Sequence, residues 1–143
     1  TIHAGEWGPA ENVRDAIENL GAERIGHGVR VLEDETVAAL AKERGVVFEV
    51  CPTSNFQSGV VTTMEEHPLP RMVDYGLKVT INTDDPSVSR ISLSNEFQIA
   101  HEKLNVSMDV LKQSILLAAE SSFLADAEKA ELLQSLKKHM NLR

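Results

Sequence analysis

Residues 78–86 read Lys-Val-Thr-Ile-Asn-Thr-Asp-Asp-Pro, a short apolar-alternating run followed directly by two adjacent carboxylates. The run follows Gly76 and predicts a buried strand with Asp84 and Asp85 at its carboxyl end. In α/β sheets and barrels, ligands and catalytic groups collect at that end of the strands. A divalent cation on one carboxylate, and a hydrogen-bonded ligand on the other, would relieve their mutual repulsion. An ordinary turn remains an alternative, because Asn, Asp and Pro are common loop residues.

The composition of the 143-residue chain indicates one globular region, residues 1–143, with a real core: 42% of residues are hydrophobic and 25% are charged. A net charge of −8 argues against nucleic acid or an anionic membrane as the main partner. No apolar run approaches the ~20 residues that span a bilayer. The lone Cys51 excludes an internal disulfide and favours a reducing, cytoplasmic compartment. Residues 1–6 look like the end of a strand rather than a signal peptide, so we expect the chain to begin inside a larger protein.

Four units, each consisting of a short strand, a loop and a helix, are predicted along the chain. The predicted strands lie near residues 2–3, 24–28, 46–50 and 78–81, and the predicted helices span residues 10–20, 34–44, 68–75, 93–104, 108–119 and 126–140. Ser107 and Asp126 are the predicted N-caps of the last two helices, and residues 51–55 are expected to end the third strand and lead into a polar loop. Strands that alternate with helices in this way predict βαβ units and a parallel α/β sheet.

Polar side chains capable of chemistry follow every predicted strand. They are His3 and Glu6, then His27, then the pair Ser54-Asn55, then Asp84 and Asp85. Because the carboxyl ends of parallel strands share one edge of a sheet, we expect these groups to gather on one rim. With no cysteine-rich ligand set, a metal there would be bound by imidazole and carboxylate, which suits Zn²⁺ or Fe²⁺.

Each of these residues also has a purely structural interpretation. His3 alone could be a hydrogen-bonded structural histidine, and Glu6 could be a carboxylate near a helix N-terminus. Cys51 is expected to be a small apolar filler rather than a nucleophile. The remaining histidines fall in loop or helix patterns and are expected to be surface or interhelical residues: His67, His101 and His139.

Four motifs together resemble the adenosine deaminase family. They are His-Ala-Gly-Glu at residues 3–6, Arg-Ile-Gly-His-Gly at 24–28, Cys-Pro-Thr-Ser-Asn at 51–55 and Asn-Thr-Asp-Asp-Pro at 82–86, with Ser-Ser-Phe-Leu at 121–124 following. That family belongs to the metal-dependent amidohydrolases, which are (β/α)₈ barrels. The resemblance implies that this chain is the C-terminal part of such a barrel, about strands five to eight plus the terminal helices.

The resemblance also implies a role for each matching residue in zinc-dependent deamination of adenosine or deoxyadenosine to inosine and ammonia, a step of purine salvage. His3 and Asp84 would bind one Zn²⁺, and Glu6 would donate a proton to the purine nitrogen N1. His27 would orient the water that attacks C6. Asp85, in its protonated form, would hydrogen-bond N7 of the purine nucleoside, and Gly5 is a further expected substrate contact.

The sequence departs from the family pattern in one respect: no His-x-His pair, which the family carries on its first strand, occurs in these 143 residues. Because related branches share the four motifs, three alternatives to adenosine deaminase stay open: a related aminohydrolase acting on adenine, one acting on a modified adenosine, and a non-catalytic purine-binding relative. A structural α/β fragment with accidental polar ends is a fourth. We expect the isolated chain to be inactive, and to need the missing N-terminal half of the barrel or to self-associate. Half a barrel is also expected to expose an apolar interior face at residues 46–50 and 79–81.

Overall fold

A computed structural model describes residues 1–142 and shows four short strands in one sheet. The strands are β1 (Ile2–Ala4), β2 (Arg24–His27), β3 (Val47–Val50) and β4 (Lys78–Ile81). All three pairings are parallel, and the strands lie in the sheet in their sequence order, β1-β2-β3-β4. The predicted α/β organisation with a parallel sheet is confirmed.

Eight α-helices accompany the strands within the described part of the chain. They are α1 (Ala10–Glu18), α2 (Glu35–Arg44), α3 (Pro52–Gln57), α4 (Leu69–Tyr75), α5 (Pro86–Ser89), α6 (Leu93–Glu102), α7 (Met108–Glu120) and α8 (Asp126–His139), with 3₁₀ turns at Val31–Glu33 and Met64–Glu66. The six predicted helices are present with ends within two residues of those expected. The short helices α3 and α5 were not predicted: each begins at a proline, and the polar residues that follow resemble a loop.

Local capping explains where several helices begin. The Asp34 side chain accepts hydrogen bonds from the backbone N–H groups of Thr36 and Val37 at the start of α2. Ser107 caps α7 as predicted, through the N–H of Val110. The prediction for α8 was wrong by one residue: Ala125 holds the N-cap position and Asp126 is the first helical residue.

The main core lies on one face of the sheet. Ile25, Phe48 and Val79 are paired across neighbouring strands, point to the same face and are buried. They belong to one apolar cluster that also contains buried side chains of α1, α2 and α4: Val13, Ile17, Val37, Ala38, Ala41, Leu69 and Met72. Burial on this face ties the helices to the sheet.

The opposite face of the sheet carries mainly polar side chains. An exposed apolar face at residues 46–50 and 79–81 was expected from the sequence, and that prediction was wrong. The next residues in register are His3, Gly26, Glu49 and Thr80, and Glu49 lies 3.3 Å from the guanidinium Nε of Arg24. The apolar residues of both segments are buried instead: Val46, Val47, Phe48, Val50, Val79 and Ile81. The expectation failed because it did not separate the two faces of each strand, whose side chains alternate.

The C-terminal helices close one side of the structure. Helix α7 packs against β4 and α8. Beyond α7, the Arg24 side chain donates a hydrogen bond to the carbonyl of Ser121 at 3.1 Å, and its guanidinium lies 4.0 Å from the ring centre of Phe123. These contacts join the segment between α7 and α8 to the amino end of β2. Among residues 1–142, no helix combines the length and apolar character needed to cross a membrane.

Candidate active site

The ends of three strands bring four of the predicted site residues together. The rings of His3 and His27 have their centres 5.2 Å apart. The Nε2 atom of His27 lies 3.6 Å from a carboxylate oxygen of Glu6 and 3.9 Å from Oδ2 of Asp84. The rim expected from the sequence therefore exists as a cluster of two imidazoles and two carboxylates.

Unusual backbone conformations aim two of these side chains. His27 and Asp84 have φ angles of 62° and 58°, in the left-handed region that few residues other than glycine adopt. His27 is the last residue of β2 and Asp84 lies three residues beyond the end of β4. Both side chains leave the sheet at this edge and point towards the cluster. Gly26 supplies room: a Cβ atom there would lie 3.0 Å from the ring of His3.

Helix α3 holds two members of the cluster from neighbouring positions. The hydroxyl of Ser54 donates a hydrogen bond to Oδ2 of Asp84 at 2.7 Å. The side-chain nitrogen of Asn55 lies 3.0 Å from Nδ1 of His27. The polar pair that the sequence placed after the third strand therefore supports the side chains that follow the second and fourth strands.

His67 is buried beside α3 and the start of α4, which agrees with the expected interhelical position and excludes a surface one. Its exposed fraction is 3%, and its Nε2 atom lies 3.2 Å from Oδ1 of Asn55. Its Nδ1 atom accepts a hydrogen bond from the backbone N–H of Leu69 at 3.1 Å. His67 is thus connected to His27 through Asn55.

Burial dominates the proton affinities around the cluster. It lowers the pKa of His27, although the charges of Glu6 and Asp84 act in the opposite direction. Burial lowers the pKa of His67 to about 4 and raises that of the Cys51 thiol to about 12. Both histidines therefore favour their neutral forms, and Cys51 behaves as the inert filler expected from the sequence.

The structure gives Asp85 and Gly5 well-defined backbone roles. The Asp85 carboxylate accepts hydrogen bonds from the N–H groups of Ser87 and Val88 and caps α5, while Asp85 itself is exposed. Gly5 adopts a φ of 63°, and its carbonyl accepts a hydrogen bond from the N–H of Arg30 at 2.9 Å. Neither observation tests the substrate contacts expected of these residues.

A cleft of about 510 Å³ opens beside the cluster. Strands β1 and β2 contribute His3 and His27 to its lining, and the turn after β4 contributes Asp84. The C-terminal helices contribute apolar side chains: Leu93, Phe97, Ile115 and Ala118. A small ligand in this cleft would meet titratable groups at one wall and apolar surface at the other, as in typical small-molecule sites.

The donor atoms fit zinc chemically but do not complete a site. His3 supplies imidazole nitrogen and Asp84 supplies carboxylate oxygen, both of which zinc accepts. Within residues 1–142, however, no group of three or more His, Cys, Asp or Glu side chains is arranged to hold a metal. Catalytic zinc usually has three protein ligands, so further ligands would have to come from elsewhere.

Two supporting residues went unrecognised in the sequence, although weak signals were present. His67 precedes Pro68 and Leu69, and apolar neighbours of this kind are compatible with a buried position. Glu96, Ala100 and Leu104 follow one another at intervals of four residues, the spacing of one helix face, and all three are buried. A carboxylate within an apolar stripe indicates a buried polar contact; the structure shows one, from the N–H of Thr53 to Glu96 at 3.2 Å.

The fold and this cluster define an α/β protein with titratable side chains gathered at the carboxyl ends of parallel strands, the arrangement of many barrel enzymes. The family model described as adenosine deaminase matches residues 1–139. The chain belongs to the adenosine deaminase family, as its four motifs indicate.

Individual relatives agree with this assignment. An adenosine deaminase from Clostridium perfringens is 44% identical over 136 residues, which are 95% of this chain and 41% of the relative. The crystal structure of an adenine deaminase from Arthrobacter aurescens superposes with a TM-score of 0.92 at 35% identity, covering 98% of this chain and 43% of that one. An amidohydrolase from Burkholderia ambifaria with bound Zn has a TM-score of 0.88 at 28% identity, over 97% and 39% of the two chains. This chain therefore spans about two-fifths of the length of these proteins.

Proposed function

We propose that this chain is the C-terminal part of a zinc-dependent adenosine deaminase, about strands five to eight of a (β/α)₈ barrel with the terminal helices. The longer protein would convert adenosine and deoxyadenosine to inosine and ammonia in cytoplasmic purine salvage. The observation that carries this proposal is the position of His27 Nε2, within 4 Å of both Glu6 and Asp84. A general acid, an orienting imidazole and a metal-binding carboxylate are the groups that hydrolytic deamination needs at one place.

His3 and Asp84 are the proposed zinc ligands. A zinc ion held there supplies Lewis-acid activation of the attacking water. The hydrogen bond from Ser54 to Oδ2 of Asp84 restricts the rotation of that carboxylate and so favours one orientation for metal binding.

The remaining roles belong to side chains around the purine ring. Glu6 donates a proton to N1, which makes C6 more electrophilic, and His27 orients the water that attacks C6. A C–O bond forms at C6 and the bond to the exocyclic nitrogen breaks. One proton of the water leaves with that nitrogen as ammonia, and the other replaces the proton that Glu6 gave to N1. Asp85 hydrogen-bonds N7, and the backbone of Gly5 contacts the substrate.

A second candidate substrate is the free base adenine. The name of the Arthrobacter aurescens structure, adenine deaminase, favours this alternative, because the two folds superpose with a TM-score of 0.92. The two substrates differ by the ribose, so a direct comparison of adenosine and adenine distinguishes the two activities.

The proposal is tested with a chimaera of this chain and a relative. The 136 matching residues of this chain replace the corresponding segment of the Clostridium perfringens adenosine deaminase, and ammonia release is measured with adenosine and with adenine. We expect zinc-dependent turnover of adenosine. Turnover of adenine alone would establish the second candidate, and a folded, zinc-loaded chimaera without deaminase activity would contradict the proposed function.

Replacing Glu6 in the active chimaera tests the proposed proton donor. Glu6→Gln should retain zinc and much of the affinity for a ground-state purine, while kcat falls by about 10²- to 10⁴-fold, the usual contribution of general acid catalysis. Glu11→Gln, at an exposed position on α1, is the matched control and should leave kcat unchanged. Normal turnover by Glu6→Gln would remove Glu6 from the mechanism.

A further inference from the structure

The buried residues Asn55 and His67 form a hydrogen-bonded connection to His27 that the proposed chemistry does not itself require. Asn55 is fully buried and lies between the two histidine rings, 3.0 Å from Nδ1 of His27 and 3.2 Å from Nε2 of His67. Each of the three side chains has atoms that could donate or accept, so the direction of the hydrogen bonds has to be established.

The backbone of α4 fixes that direction. The N–H of Leu69 can only donate, and it points at Nδ1 of His67 at 3.1 Å. Nδ1 of His67 is therefore an acceptor, and the proton of the neutral ring lies on Nε2. That proton meets Oδ1 of Asn55, which leaves the amide N–H of Asn55 to donate to Nδ1 of His27.

The opposite orientation of the Asn55 amide leaves two donors facing each other. Its nitrogen would then meet Nε2 of His67, which would have to be an acceptor, and Nδ1 of His67 would carry the proton. That proton would face the N–H of Leu69 within a buried site. A buried pair of facing donors loses both hydrogen bonds, so this orientation of the amide is disfavoured.

We propose that Asn55 and His67 are positioning residues that hold His27 in the tautomer with its proton on Nε2, directed at Glu6 and Asp84. His27 then presents an N–H donor, and not a lone pair, to the place where Glu6 and Asp84 converge. In the proposed deaminase, on which this role rests, that N–H donates to the oxygen of the attacking water and remains a donor as negative charge develops on that oxygen.

The tautomer is measured directly by NMR on the 143-residue chain. Long-range ¹H–¹⁵N correlation spectra at about pH 8, well above the ordinary histidine pKa of about 6.5, distinguish protonated from unprotonated ring nitrogens. We expect protonated Nε2 and unprotonated Nδ1 in both His27 and His67. A proton on Nδ1 of His27 would overturn the proposal.

Asn55→Asp reverses the proposed hydrogen bond with an almost isosteric side chain. A carboxylate can only accept, so Nδ1 of His27 should gain a proton, while Nε2 of His67 keeps its own. Asn12→Asp, exposed on α1, is the matched control and should leave both spectra unchanged. If the first variant does not fold, His67→Leu removes the donor to Asn55, frees the amide to rotate and should give His27 as a mixture of tautomers. Unchanged His27 spectra in a folded variant would contradict the proposal.

Kinetics of the active chimaera test whether the tautomer matters for the reaction. Asn55→Asp should lower kcat by about 10- to 100-fold, the usual effect of groups that orient site residues, with a smaller effect on KM. Equal kcat values for this variant and the parent would contradict the positioning role. An inactive parent chimaera would contradict the proposed function instead, and the NMR spectra would still decide the direction of the hydrogen bonds.

Discussion

Asp84 and Asp85 are neighbours in sequence but have different surroundings. Asp84 turns the chain in a left-handed conformation and accepts a hydrogen bond from Ser54 beside His27. Asp85 has an extended backbone and caps α5. One carboxylate thus faces the cluster, whereas the other already accepts two backbone hydrogen bonds.

This difference predicts separable effects of mutation in the active chimaera. Asp84→Ala should lower the zinc content measured by metal analysis, because it removes a proposed ligand. Asp85→Ala should keep zinc, weaken purine binding and cost about 1 kcal/mol of stability through the lost cap. Asp85→Asn can still cap α5 through its oxygen and donate an N–H to N7, so it should bind purine better than Asp85→Ala. Equal zinc loss in Asp84→Ala and Asp85→Ala would contradict the assignment.

His67 makes the stability of the chain dependent on pH. Its pKa is about 4 in the folded chain and about 6.5 in an unfolded one, so protons bind the unfolded state more tightly. The stability from neutral His67 is fully present above about pH 6.5 and is lost as the pH falls towards 4. The difference of about 2.5 units corresponds to about 3 kcal/mol.

Urea unfolding of the chain between about pH 7 and pH 4 measures this effect. In His67→Gln, whose side chain does not titrate, the free energy of unfolding should fall less steeply over the same range. His27 is present in both proteins, so the difference between the two curves isolates His67. Parallel curves would show that His67 is not buried as a neutral ring.

At the scale of elements, helix α6 is joined to α3 by a buried carboxylate. Glu96 is fully buried and accepts a hydrogen bond from the N–H of Thr53. Burial raises the pKa of Glu96, and the hydrogen bond from the Thr53 N–H opposes this shift. Because α3 also carries Ser54 and Asn55, this contact anchors the helix that supports Asp84 and His27.

Substitutions of Glu96 should separate its charge from its hydrogen bond. Because the pKa of Glu96 is raised in the folded chain, protonated Glu96 contributes to the free energy of unfolding. This contribution is fully present below the ordinary glutamate pKa and is lost as the pH rises through the pKa of the folded chain. Glu96→Gln keeps an acceptor without the charge and should remove this loss, as measured by urea unfolding across the acidic range. Glu96→Ala leaves the Thr53 N–H unpaired and should cost about 1–3 kcal/mol at every pH. An identical pH dependence of Glu96→Gln and wild type would contradict this account.

The elements that could be predicted from the sequence are those with a periodic apolar pattern. Strands β3 and β4 and helices α1 and α7 bury such patterns, and their ends follow from glycine, proline and capping residues. Helix α3 has no such pattern, because Thr53 and Asn55 are buried through hydrogen bonds to distant residues. The partners in these hydrogen bonds lie 28 to 43 positions apart, so a local pattern does not identify which residues pair.

In the candidate site, too, the residues placed by the strands could be predicted, whereas those placed by helix packing could not. His3 and His27 lie in β1 and β2, whereas Glu6 and Asp84 follow β1 and β4. Parallel strands bring these positions together whatever the intervening helices do. The burial of His67 and the direction of its hydrogen bonds depend on how α3 and α4 pack, and a one-dimensional pattern does not contain that packing.

For the whole molecule, the incomplete ligand set predicts the behaviour of the isolated chain. Two proposed zinc ligands, His3 and Asp84, are fewer than the three that catalytic zinc usually has. We expect the 143-residue chain to bind zinc weakly in calorimetric titration, to leave adenosine unchanged, and to self-associate in light scattering through the edge of β1. A monodisperse monomer with nanomolar zinc affinity and deaminase activity would show that the chain is sufficient by itself.

The order of the strands in the sheet has a consequence for how such a protein can be encoded. Each strand pairs only with strands adjacent to it in sequence, and each strand together with its following turn carries its own share of the site. A break in the polypeptide between two consecutive strand–helix units therefore divides one pair of hydrogen-bonded strands between two pieces. Every other strand pair of this sheet stays within one piece. A gene divided at such a boundary would therefore encode segments that keep complete strands with their functional side chains attached.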